Sequence, residues 1–161
     1  MISVRRATHA DVGAIAKIAA DAWRSTYRDL VSPDAIETTL SQWYTTDVLR
    51  QRVDALPLDV ALRRAEVVGY VQHGPIQDSV HEVYALYVAP AELGTGAGWA
   101  LWQGVCREAR VNHKTAVELW VLEGNRQGIS WYDRQGGHPV GTQPIEMADG
   151  PHVELRYRFN L

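Results

Sequence analysis

The sequence predicts a mixed α/β fold around a mainly antiparallel sheet, and three observations lead there. Helical and strand periodicities alternate along the chain without repeats or low-complexity tracts. Two pairs of strand patterns are separated by short junctions that suit antiparallel neighbours. A β-leaning apolar run passes straight into a glycine-rich turn and a helical pattern at Val88-Ala-Pro-Ala-Glu-Leu-Gly-Thr-Gly-Ala-Gly98. At 161 residues and 46% hydrophobic content, the chain is long enough for one domain with a substantial core, expected to span 1–161.

Each element has a local reason. Ile2 to Arg6 alternates as a strand, and Thr8 is placed to cap a helix over His9 to Trp23, with Val12, Ile15, Ile18 and Ala19 on one face. Ser32-Pro33-Asp34 starts a second helix through a capping serine and a first-turn proline. Thr46 to Leu56 is a third helix, followed by strands over Asp59 to Arg64 and Glu66 to His73 joined as a hairpin. Pro75 to Ser79 reads as a loop, Val80 to Val88 as a long strand, and Gly96 to Arg110 as a helix. A strand around Leu119, a helix after Asn125, and a strand pair over His138 to Met147 and His152 to Phe159 complete the order.

Charge and cysteine content narrow the function classes. A net charge of -3 and a pI near 6.0 argue against nucleic-acid binding. The single cysteine, Cys106, has no internal partner and falls on the apolar side of its helix, so a buried hydrophobe is expected rather than a nucleophile. The start of the chain lacks a signal-peptide pattern, and no apolar run reaches about 18 residues, so a soluble cytoplasmic protein without membrane contact is expected.

The glycine-rich turn is an anion cradle: Gly94, Gly96 and Gly98 clear side chains from the backbone, and the following helix offers unpaired N–H groups. The Gly-Lys-Ser/Thr of a Walker loop is absent, and Trp99 and Leu101 occupy the sixth positions that a dinucleotide fingerprint needs as glycine. What remains resembles the coenzyme A pyrophosphate loop of the GNAT N-acetyltransferase superfamily. The resemblance continues through Leu119-Trp-Val-Leu-Glu-Gly-Asn125, through Ile129-Ser-Trp-Tyr-Asp-Arg-Gln-Gly-Gly137, and upstream in Ala22-Trp-Arg-Ser-Thr-Tyr-Arg-Asp-Leu30, covering nearly the whole chain.

That resemblance implies six to seven strands flanked by about four helices, with strands splayed at a cofactor cleft, and acetyl-CoA as cosubstrate. It implies that Leu86, Tyr87 and Val88 contact pantetheine chiefly through backbone atoms. Leu93, Gly94, Thr95, Gly96, Ala97, Gly98 and Trp99 would surround the pyrophosphate, with Asn125 and Tyr132 completing the cofactor contacts. Two positions depart from the family pattern. Leu93 stands where Arg or Gln is usual, so either a lower cofactor affinity is expected or Arg126 or another cation substitutes; His138 replaces the aromatic that usually follows the Gly136-Gly137 turn and helps cover the acyl pocket.

For chemistry, the resemblance assigns Tyr132 as the acid that protonates the departing thiolate; packing beside Trp131 is the alternative. Glu82 is the first candidate for the base, or else an exposed strand-end carboxylate; His81 and His73 are weaker candidates. The six histidines show no metal-ligand spacing, and no metal is expected. Trp23, Tyr27 and Tyr84 are expected to bind the acceptor, with Trp43 and Tyr44 nearby; Arg24 and Arg28 are available for an acceptor carboxylate or for a solvated helix face. The expected reaction is direct acetyl transfer to a primary amine of a small molecule. A protein N-terminal or lysine acetyltransferase and a non-catalytic acyl-CoA-binding module are the alternatives, and a homodimer is compatible with the family.

Overall fold

In the computed structural model, which describes residues 1–77 and 79–161, seven strands form one sheet in the order β1-β2-β3-β4-β5-β7-β6. The strands are β1 (Ile2–Arg6), β2 (Leu58–Arg63), β3 (Glu66–Gln77), β4 (Val80–Val88), β5 (Ala116–Leu122), β6 (His138–Met147) and β7 (Gly150–Asn160). Only β4 and β5 run parallel; every other neighbouring pair is antiparallel. Five helices accompany them among the described residues, as the element-by-element reading expects: α1 (Val12–Thr26), α2 (Pro33–Trp43), α3 (Thr46–Ala55), α4 (Ala97–Val111) and α5 (Arg126–Arg134).

The boundaries differ from the sequence reading where a side chain intervenes. Asp11 accepts a bond from the Thr8 N–H at 2.8 Å, which tightens His9–Asp11 into a 3-10 turn, so α1 begins at Val12 and runs on to Thr26. Ser32 caps α2 as expected, accepting from the Ala35 N–H at 3.1 Å. Strand β3 continues through Pro75 to Gln77, where a loop was expected over Pro75 to Ser79; position 78 of that stretch lies outside the described residues. The proline is tolerated because the β3–β4 register shifts between Pro75 and Gln77. The β2–β3 hairpin turns on Arg64 and Ala65, both with positive φ, as a two-residue turn requires.

The sheet sorts its side chains to two faces. On one, Val71, Val83, Val117, Leu119 and Phe159 pack against Leu101, Trp102 and Val105 of α4. On the other, Val60, Tyr70 and Ala85 pack against Ile15, Ile18 and Ala19 of α1, and Leu49 of α3 closes that cluster. Cys106 is buried on α4, and burial raises its thiol pKa, in keeping with a packing role. No helix among the described residues is long and apolar enough to cross a membrane.

A polar chain lies inside the α4-facing core. His73 and His81, both fully buried, meet at 2.8 Å between Nδ1 and Nε2, and His73 Nε2 lies 2.9 Å from Asp59 Oδ2. Because the carboxylate only accepts, a neutral His73 donates from Nε2 and accepts at Nδ1 from His81, and His81 Nδ1 is buried without a partner among the described residues. Arg6 bridges Asp59 and Glu108 at 3.2 and 3.1 Å. Asp59, His73 and Glu108 thus gather three potential ligand atoms within 4.8 Å of one another, although their spacing of 14 and 35 residues gave no sequence signal. Burial foremost, and then the nearby His73, lower the His81 pKa to about 4.

Since that folded-state value lies below the unfolded value of about 6.5, the unfolded chain binds the additional proton between those limits. Stability is therefore expected to fall as pH drops from about 6.5 to about 4, by up to about 1.4 kcal/mol per pH unit. Urea denaturation across that range should show the slope in the native protein and a shallower one in His81→Gln.

Candidate active site

The cleft exists because the one parallel pairing is short. Val80 to Val83 pair with Ala116 to Leu119, and there the ladder stops. The next residue, Tyr84, is a bulge: Val83 opposes His73 and Ala85 opposes Gln72, leaving Tyr84 without a partner on β3. Beyond it, β4 stays on β3 while β5 stays on β7. The gap opens into a cavity of about 530 Å³ lined by both strands, the glycine turn, α5 and the end of α1.

Backbone polarity on the open edge of β4 follows from one bond. Ala89 N–H donates to Val68 O at 2.8 Å, so antiparallel alternation turns the N–H and C=O of Tyr87 toward β3 and those of Leu86 and Val88 toward the cleft. The side chains of Leu86 and Val88 pack on the α4-facing core and that of Tyr87 on the α1 side. Leu86 and Val88 thus present main-chain N–H and C=O groups to the cleft, whereas the expected pantetheine contact through the Tyr87 backbone is corrected, because that backbone is turned toward β3.

The glycine turn completes the floor. Gly94 and Gly96 have φ of +80° and +93°, where side chains are strained. No side chain caps α4 at Gly96, so its first N–H groups face the cleft unpaired. Gly94, Gly96, Gly98, Leu93 and Trp99 all line the cavity. The Thr95 hydroxyl instead turns back to Glu92 O at 2.7 Å, and the Ala97 side chain is buried in the core, so these two expected ligand residues can contribute only backbone. Arg126 does not line the cleft. Among the lining residues the cation is Arg134, the last residue of α5, held by Ser130 at 2.8 Å.

Helix α5 forms the opposite wall. The Asn125 side chain caps it by accepting from Gly128 N–H at 3.0 Å, an approach so close that a Cβ on residue 128 would sit 2.7 Å from the amide nitrogen. Gln127, Trp131 and Arg134 repeat at helical spacing on the cleft face together with Gly128; the period is present in the sequence, but which face of the helix meets the cleft is set by the fold. Tyr132 also lines the cavity, with Trp131, Tyr157 and Phe159 around its ring at 5.5, 6.3 and 6.0 Å. Burial raises its pKa well above the ordinary tyrosine value, so the hydroxyl stays protonated at neutral pH. His138 opens the exposed strand β6 and does not line the cleft, and Gly137 lies so close to Phe159 that a Cβ there would strike its ring at 2.4 Å.

Residues on the α1-facing side of the sheet meet the cleft at the bulge. Tyr84 lines it, whereas Glu82, two residues earlier on the same strand, does not. Burial raises the Glu82 pKa against an opposing effect of Arg156. Arg156 is itself held by the buried Glu118 through bonds of 2.6 and 2.8 Å. Tyr27 lines the cleft with its hydroxyl 3.0 Å from that of Tyr87, and burial moves its pKa to about 12. Trp23, 4.4 Å from Tyr27 between ring centroids, belongs instead to a second cavity with Trp43 and Tyr44. Arg24 is bonded twice to Glu37, at 2.8 and 3.0 Å, and lines neither cavity. His73 and His81, within the α4-facing core, are away from the cleft.

Comparisons with known proteins agree with this geometry. The chain is 26% identical over 152 residues to the N-acetyltransferase YuaI of Bacillus subtilis (strain 168), described as uncharacterized, covering 92% of this chain and 87% of that one. The PaiA N-acetyltransferase of Thermoplasma acidophilum, solved in complex with coenzyme A, superposes with a TM-score of 0.83 at 17% identity over 100% of this chain and 99% of its own. The ribosomal-protein-alanine N-acetyltransferase of Brucella melitensis does so with a TM-score of 0.71 at 27% identity over 99% of both. The model of the acetyltransferase (GNAT) family matches residues 14–137, and with the splayed strands and the glycine turn in place the chain belongs to that family.

Proposed function

We propose that this protein transfers the acetyl group of acetyl-CoA to a primary amine of a small molecule. The observation that carries the reading is the convergence on one cleft of an unpaired β4 edge, an uncapped helix N-terminus and a protonated tyrosine. These features suit coenzyme A. The backbone of Leu86 and Val88 offers alternating donors and acceptors for its pantetheine amides, the turn from Gly94 to Gly98 offers N–H groups to its pyrophosphate, and Arg134 supplies a cation in place of the missing loop arginine.

Acetyl-CoA brings an activated thioester to this site. The chain contributes orientation and proton handling. Tyr132 Oη holds a proton for the departing sulfur, and its raised pKa keeps that proton in place until it is needed. Glu82, whose raised pKa brings it nearer to the working pH, takes up the acceptor's proton directly or through water. The 27% identity to a ribosomal-protein-alanine N-acetyltransferase favours a second reading, acetylation of a protein N-terminus. Mass spectrometry of alanine-initiated peptides beside a panel of small amines separates the two.

Tyr132→Phe is expected to lower kcat about 100-fold while leaving coenzyme A affinity within about threefold, measured by thiol release and calorimetry; unchanged turnover removes the tyrosine from the mechanism. Glu82→Gln should lower kcat/KM at least about tenfold and abolish the acidic limb of the pH–rate profile, which in the native protein lies above the ordinary carboxylate range. Gly96→Val forces a β-branched side chain to φ +93°. Its coenzyme A affinity should drop about tenfold or more, with a backbone cost of about 1–2 kcal/mol seen as a lower Tm.

A further inference from the structure

The second cavity, of about 420 Å³, lies between α2, α3 and the turn joining β6 to β7. Its walls are the rings of Trp23, Trp43 and Tyr44, and it is lined by one guanidinium, that of Arg52 from the last turn of α3. This arginine is held from several directions. Its Nε donates to Gln72 Oε1 at 2.7 Å, its Nη1 donates to the Trp43 carbonyl at 2.9 Å, and its Cζ stands 4.8 Å over the Tyr44 ring. The buried Gln72 returns a bond from Nε2 to the Arg52 carbonyl at 2.9 Å, so one glutamine fixes both the backbone and the side chain of Arg52.

No described carboxylate pairs with Arg52, and its Nη2 has no hydrogen-bond partner among the described residues. An arginine fixed by neutral partners carries a full charge with an unused donor face. That is an arrangement suited to an incoming planar oxyanion rather than to closing a surface ion pair. The acidic side chain among the lining residues, Glu146, is exposed and therefore water-screened. The aromatic walls demand an apolar or aromatic body beside the anion. The wall shared with the acetyl-transfer cleft is the Trp23–Tyr27 pair, one ring lining each cavity.

We infer that Arg52 is a specificity-determining residue that binds the carboxylate of the acceptor, and that the acceptors are amines bearing an aromatic or apolar body and a carboxylate. This assignment rests on the acetyl-transfer reading for the identity of the occupant, while the anion site itself is testable without turnover. Tryptophan fluorescence, with Trp23 and Trp43 as reporters, and calorimetry would follow the binding of phenylacetate and of its neutral counterpart phenylacetamide. The native protein should favour phenylacetate at least about tenfold, and both Arg52→Gln and Arg52→Lys should lose that preference while binding phenylacetamide as before. In thiol-release assays, 4-(aminomethyl)phenylacetate, whose amine stands across the ring from its carboxylate, should be preferred to the corresponding amide through KM, and Arg52→Gln should level the two. A native protein without preference for the anion, or variants that keep it, overturns the inference. Equal loss for charged and neutral probes does so as well, because it marks a merely structural arginine. A parallel titration with coenzyme A keeps the outcomes apart: coenzyme A binding without anion preference overturns the Arg52 site alone, and anion preference without coenzyme A binding overturns the acetyl-transfer reading alone.

Discussion

Everything functional in this molecule depends on a parallel strand pair that stays together for four residues and then separates. A sheet normally satisfies its backbone donors and acceptors strand by strand, and a row of them left unpaired beside a core is costly unless something else pairs with them. Here the separation is imposed by geometry: the bulge at Tyr84 bends β4 toward β3, and the antiparallel ladder to β7 holds β5 in place. The result is a slot with polar main chain along one side and apolar side chains behind it.

The elements around the slot are consequences of that opening. Helix α4 can present bare N–H groups because the turn before it contains residues free to take positive φ, and its apolar face, through Leu101 and Val105, is anchored against the sheet. Helix α5 is carried on the far side by Asn125 and by a close approach of Gly137 to Phe159, which seats the Tyr132 hydroxyl in an apolar setting. The same sheet keeps charge on its other face, where Glu118 and Arg156 neutralise each other beneath the bulge, so that Glu82 sits near a fixed ion pair rather than in bulk water.

The fold was largely legible in the sequence because its signals are local: alternation in β1 and β4, the Ser32-Pro33 helix start, the glycine turn. The cleft floor was legible for the same reason, since Gly94, Gly96 and Gly98 announce their own backbone. What could not be read were relations made by the tertiary fold. The His73–His81–Asp59 chain joins three strands, and Arg52 acquires its place from a glutamine on β3, twenty residues away. Arg126 and Arg134 look alike in sequence; only the phase of α5 decides which one reaches the cleft.

The outer strand β6 is exposed along most of its length and carries Pro139 and Pro144. A proline has no N–H to lend to a neighbouring chain, and four residues separate the two, so a second molecule adding a strand there would find an interrupted ladder. The sheet thus ends in an edge that resists continuation. Runaway strand stacking is thereby discouraged at the β6 end of the sheet, which leaves β1 as its other edge.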